Sequence, residues 1–99
     1  MRGVNQARGE AVSVLAGEER RLCLTLGALA EIETALGVSG VAGVAERLRS
    51  LSARDLMAVL AALLRAGGEG ALAAELEQVR IDPIEAAEAV ALAFGAARA

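Results

Sequence analysis

One thiol, thirteen carboxylates and a few hydroxyls are all that this 99-residue sequence offers to a reaction needing a nucleophile or a proton carrier. Histidine, lysine and tyrosine are absent, and every one of the ten basic residues is arginine. Histidine is the usual general base and the commonest transition-metal ligand near neutral pH. Lysine and tyrosine are the next choices for acid–base or Schiff-base work. Catalysis by carboxylates alone needs two acids converging on a pocket, and no spacing here announces such a pair. The single thiol, Cys23, alternates with Leu22 and Leu24 in an apolar run. No neighbouring His or Lys would lower its pKa, so it reads as packing rather than as a nucleophile. With one cysteine there is no disulfide within the chain. The sequence is therefore expected to be no enzyme, with no catalytic, cofactor-binding or metal-binding residues.

The net charge of −3 is spread along the chain in both signs. Nucleic-acid binding normally shows a basic patch or stripe. The nearest approach is Arg47, Arg49 and Arg54, diluted by Glu46 and Asp55. With Phe94 as the sole aromatic, stacking on single-stranded bases is equally unsupported. The mean hydropathy is positive, but the longest central run free of charge and glycine, residues 56–64, has nine members. That is well short of the ~20 needed to span a bilayer. Residues 1–10 hold Arg2 and Arg8 but no apolar stretch of the kind a signal peptide carries. Neither nucleic acid nor membrane is an expected partner, and the expected location is cytoplasmic. Arginine without lysine, alongside abundant alanine and glycine, reads as the codon bias of a GC-rich genome and is neutral with respect to function.

Local patterns predict an α+β chain, predominantly α, with an N-terminal β-hairpin followed by four or five short helices. Residues 1–9 are polar and glycine-containing and are expected to be loosely ordered. The remainder, 10–99, reads as one small domain, with the hairpin at about 10–25 and helices at about 26–95. Glu10 to Val14 and Arg20 to Leu24 alternate as strands around residues 16–19, where Gly17 can take a positive φ. Thr25 is a plausible N-cap for a helix carrying Leu26, Leu29, Ile32 and Leu36, stopped by Gly37. Gly37, Gly40 and Gly43 are evenly spaced, but a phosphate cradle wants a preceding strand and usually a Lys. A helix stop, a turn and a short helix over about 41–49 account for them better. Ser52 with Asp55 resembles a capping box, flanked by Leu51 and Leu56 where a hydrophobic staple forms. The helix beyond presents Leu56, Val59, Leu60 and Leu63 as a core-facing stripe and ends at Gly67 and Gly68. A fourth helix is expected over about 71–80. Asp82, Pro83 and Glu85 then start a last helix with Ile84, Ala87, Ala91 and Phe94 on one face, ending at Gly95.

A domain this short has a thin core, yet the helices carry more apolar positions than one inward face each can use. The helix over 53–65 has the widest stripe, and the last helix is apolar almost all round. Surplus apolar helix surface serves self-association or forms a groove for a partner helix. Met57, Ala61 and Leu64, along one margin of the wide stripe, are the candidate partner-binding residues.

Residues 22–37, LCLTLGALAEIETALG, narrow this further. Together with NQARGE at 5–10, SARDL at 52–56 and LRAGG at 64–68, this segment resembles the gene transfer agent family of small phage-like tail proteins. Members of that family are encoded beside tail tube and tape-measure genes in alphaproteobacteria. The likeness runs in order and spacing along most of the chain and is loosest in the C-terminal third. The resemblance implies a tail assembly chaperone that binds the long helical tape-measure protein, and tail tube subunits as a second client, during tail assembly. It implies a protein of the bacterial host's cytoplasm, absent from the mature particle, with no cofactor. The family has also been labelled tail-tube-like, but tube subunits are β-rich and this chain is not. Alternative readings are a small helical protein-binding regulator or adaptor, and a minor structural tail component.

Overall fold

In the computed structural model, residues 10–97 are described. The expected loose segment, residues 1–9, lies outside them. Strands β1 (Glu10–Leu15) and β2 (Glu18–Cys23) pair antiparallel, with Val12 opposite Arg21 and Leu15 opposite Glu18. Helices α1 (Leu26–Leu36), α2 (Gly40–Arg47), α3 (Ala53–Ala66), α4 (Gly70–Ala74) and α5 (Pro83–Ala97) follow, with a 3-10 turn at Leu48–Ser50. The chain is α+β and mostly α, with one hairpin and five helices among the described residues.

The hairpin is tighter than the sequence predicts. Its loop is two residues, Ala16 and Gly17, both with positive φ (54° and 83°). Two consecutive positive φ values match the right-handed twist of the strands, and glycine takes such a value without strain. The strands therefore run right up to this turn, and β2 begins at Glu18 rather than Arg20.

The start signals at Thr25, Ser52 and Asp82 and the stop at Gly37 act as read. The Ala28 N–H donates to the Thr25 hydroxyl at 3.0 Å, and the Asp55 N–H to the Ser52 hydroxyl at 3.1 Å. The Ile84 N–H donates to the Asp82 carboxylate at 2.7 Å. Each side-chain oxygen satisfies a first-turn donor that the helix itself leaves unpaired. Gly37 closes α1 in the left-handed conformation, its N–H donating to the Glu33 carbonyl. The capping box at Ser52 stays half-formed, because the Asp55 carboxylate is held 2.8 Å from the Arg47 guanidinium instead. Arg47 also donates to the Leu36 carbonyl at 2.7 Å, so one side chain ties the end of α1 to the start of α3.

α3 is the centre of the domain, touching α1, α4, α5 and β2. Val59, Leu60, Leu63 and Leu64 are buried on it, against Leu15 and Leu22 of the hairpin, Ile32 of α1 and Val44 of α2. Each large aliphatic side chain so buried is worth about 1.5–3 kcal/mol.

Two helices depart from expectation. The predicted helix over 71–80 ends at Ala74. Residues 75–79 are successive turns, in which Glu75 donates to the Leu72 carbonyl and Gln78 to the Glu75 carbonyl. The bend turns Leu76, Val79 and Ile81 back onto the core, where all three pack half-buried. α5 buries a different face from the one predicted. Ala86, Ala89, Val90, Ala93 and Ala96 are inward, whereas Ala87 and Ala91 are exposed and Ile84 is 69% exposed. With only Glu85 and Glu88 to break its apolar surface, this helix has little amphipathic contrast to orient it. The small alanines let its axis approach the sheet closely, and close approach decides the face. Gly95 sits inside α5, which continues to Ala97.

Candidate protein-docking groove

Met57, Ala58 and Ala61 stand half-exposed on one side of α3. Across from them lie Ala73 and Ala74 of α4 and Leu76 in the turns that follow. Between the two walls runs an open groove, with Arg54 at one point of its rim and Glu77 and Gln78 at another. Met57 and Leu76 also line a narrower crevice of about 150 Å³ that continues inward past Leu60, Val79, Ile81 and Pro83. The groove is therefore open and mixed at its mouth and apolar at its floor. Such a surface takes the apolar side of an amphipathic helix, whose large side chains reach the crevice while its polar side stays in water.

Of the three candidate contact residues, the structure brings Met57 and Ala61 together on this groove. Leu64 is corrected: it is fully buried in the core cluster and presents nothing to a partner. The physical reason is the packing of α4. That helix closes on the C-terminal half of α3 and turns what would be a free margin into interior. The opposite wall, Leu76, Val79 and Ile81, was missed as a site because the predicted helix over 71–80 hides the bend that creates it. The only sequence signal was the apolar spacing of those three residues just before Asp82 and Pro83.

The other chemistry-bearing residues are accounted for structurally. Cys23 is buried, and burial together with the nearby Glu10 carboxylate pushes its thiol pKa up, away from the thiolate a nucleophile requires. In the evenly spaced glycines, the Gly40 N–H that an anion would use already donates to the Glu33 carboxylate at 2.7 Å. Arg20 pairs with Glu69 at 3.5 Å, and Arg65 pairs with Glu31. Arg47 is committed to Leu36 and Asp55, which removes it from the weak basic cluster noted in the sequence. Among the described residues, no group of three His, Cys, Asp or Glu residues is placed to hold a metal ion. No single described helix is long and apolar enough to cross a membrane.

A protein-family model described as phage tail tube protein, GTA-gp10, matches residues 8–98. No curated protein matches the chain, and no solved structure does.

Proposed function

From the premise that this chain belongs to the phage tail tube protein, GTA-gp10 family, and is thus a tail protein of phage or gene transfer agent type, we propose that it serves as a tail assembly chaperone. In this reading it binds amphipathic helices of the tape-measure protein until tube subunits polymerise around them. It acts in the cytoplasm of the bacterial host, without catalysis or cofactor, and is left out of the finished particle. The observation that carries the reading is the groove between α3 and the 73–81 segment, with Met57 and Ala61 at its mouth and an apolar crevice below. A long helical client exposes repeated apolar stripes before assembly. A groove of small and flexible side chains shields such stripes at modest affinity per contact, since methionine adapts its shape to what it covers.

Co-expression with the tape-measure protein of the same gene cluster is the test. A chaperone keeps that client in the soluble fraction and co-purifies with it, whereas an unrelated adaptor leaves it insoluble. A second reading, a structural component of the tail, draws on the family description, which names a tube protein. Against it stands the small strand content among the described residues, two strands of six residues each. Mass spectrometry of purified particles separates the two: peptides of this chain at tube-subunit abundance select the structural role.

A further inference from the structure

The two edges of the hairpin are treated differently by the fold. On the β2 side, the Arg21 N–H donates to the Glu69 carboxylate at 3.0 Å, and the Arg21 carbonyl abuts Gly67. That edge is closed. The same two contacts show that Arg21 points its backbone groups away from β1. Its cross-strand partner Val12 must then point its own away from β2, and so must Val14 two residues on. None of the described residues meets those groups. Val12 and Val14 are also 38% and 56% exposed on the outer face of the hairpin. Beside this edge, Ala91, Leu92 and Gly95 of α5 line an open groove with Ala11 and Val12, and Leu92 is 52% exposed. Edge strands that remain single are normally guarded by a charge, a proline or a bulge. Among the described residues, β1 carries a charge only at its first position, Glu10, and offers two valines beyond it.

We infer that this edge pairs with the β1 edge of a second copy of the chain, joining two hairpins into one four-stranded antiparallel sheet. The charge pattern selects the second copy and its register. On the outer face, Val12 sits beside Arg21 and Val14 beside Glu19. A two-fold axis at Ser13 places Val12 against Val14 of the second copy. Each row across the new sheet then runs Arg21, Val12, Val14 and Glu19, with opposite charges at its two ends. Glu10 falls opposite Ala16 of the turn, away from any like charge. An axis at Val12 would instead put an arginine at both ends of the central row. In the Ser13 register, Val12 and Val14 exchange both backbone hydrogen bonds with each other's copies, four bonds in all.

Sedimentation equilibrium of the full-length protein tests this. A dimer is expected at concentrations on the order of 100 µM, an interface this size being of the weak class. The double variant Val12→Lys, Val14→Lys should sediment as a monomer with an unchanged far-UV circular dichroism spectrum. Arg21→Glu should weaken the dimer by about tenfold, and Glu19→Arg added to it should restore the affinity, because the ends of each row are again opposite. A wild-type chain that stays monomeric up to ~1 mM overturns the inference. So does a dimer indifferent to the valine substitutions, which would place the contact on another face. A dimer that Arg21→Glu weakens but Glu19→Arg does not rescue overturns the register.

Discussion

A Cβ placed on Gly67 would stand 2.1 Å from the carbonyl oxygen of Arg21 and 2.6 Å from its carbonyl carbon. The end of α3 thus lies backbone to backbone against β2. Gly67 has a φ of −86°, within reach of any residue, so glycine is demanded here by the missing side chain and not by backbone conformation. Two residues on, the Glu69 carboxylate reaches the same strand, taking the Arg21 N–H and pairing with Arg20.

Gly67→Ala should therefore cost about 2–4 kcal/mol, because the clash is with backbone and one of two core elements must shift. Gly68 has a φ of 89° and open space around its Cα, so Gly68→Ala should cost only about 1 kcal/mol of backbone strain. Urea denaturation of the two variants checks the order. Equal losses would show that the contact with Arg21 does not govern this turn.

Met57→Glu and Ala61→Glu alter a groove that is open in the monomer. Each should leave the urea midpoint nearly unchanged while lowering client co-purification by about tenfold or more, since a buried charge in an apolar contact is poorly tolerated. Leu64→Ala should behave in the opposite way, losing about 2–5 kcal/mol as a core truncation. A folded Leu64→Ala protein of wild-type stability would return Leu64 to the surface.

Arg47 joins the Leu36 carbonyl to the Asp55 carboxylate. Arg47→Met should destabilise the chain by about 1–2 kcal/mol, the worth of two charge-assisted hydrogen bonds partly screened by water. Asp55→Asn should cost less than Arg47→Met, since the bond to Leu36 survives. A double-mutant cycle read by thermal melts gives the coupling between them.

The Cys23 thiol should react slowly with iodoacetamide in the folded protein and quickly in 6 M guanidinium chloride. Burial and Glu10 raise its folded pKa above the ordinary value of 9.0, so the unfolded chain loses its proton first. The sign follows from that: the thiol's contribution to stability is complete below pH 9 and declines as the pH rises through the ordinary thiol range and beyond. Cys23→Ala should remove this alkaline sag in the urea midpoint. Rapid labelling of the native protein at pH 7 would contradict the burial of this side chain.

What the sequence by itself determined is local in physical origin. Thr25, Ser52 and Asp82 each cap a donor within three residues of themselves, and Gly37 stops α1 through its own backbone freedom. The alternation on either side of Gly17 marks a hairpin, whose apolar face needs the helices beneath it. The absence of His, Lys and Tyr is equally a property of the sequence. The tertiary structure decided everything that depends on which neighbour arrives. Whether Leu64 or Met57 faces solvent is set by where α4 closes on α3. The face α5 buries could not be read from Ile84, Ala87 and Ala91. Apart from Glu85 and Glu88 that helix is apolar, and the close approach allowed by Ala89 and Ala93 outweighs the larger area of isoleucine. The groove wall at Leu76 and Val79 exists only because the chain bends after Ala74 to lay them on the core. The demand for glycine at 67 arises from a strand more than forty residues earlier, and helix-stop chemistry alone gives no hint of it.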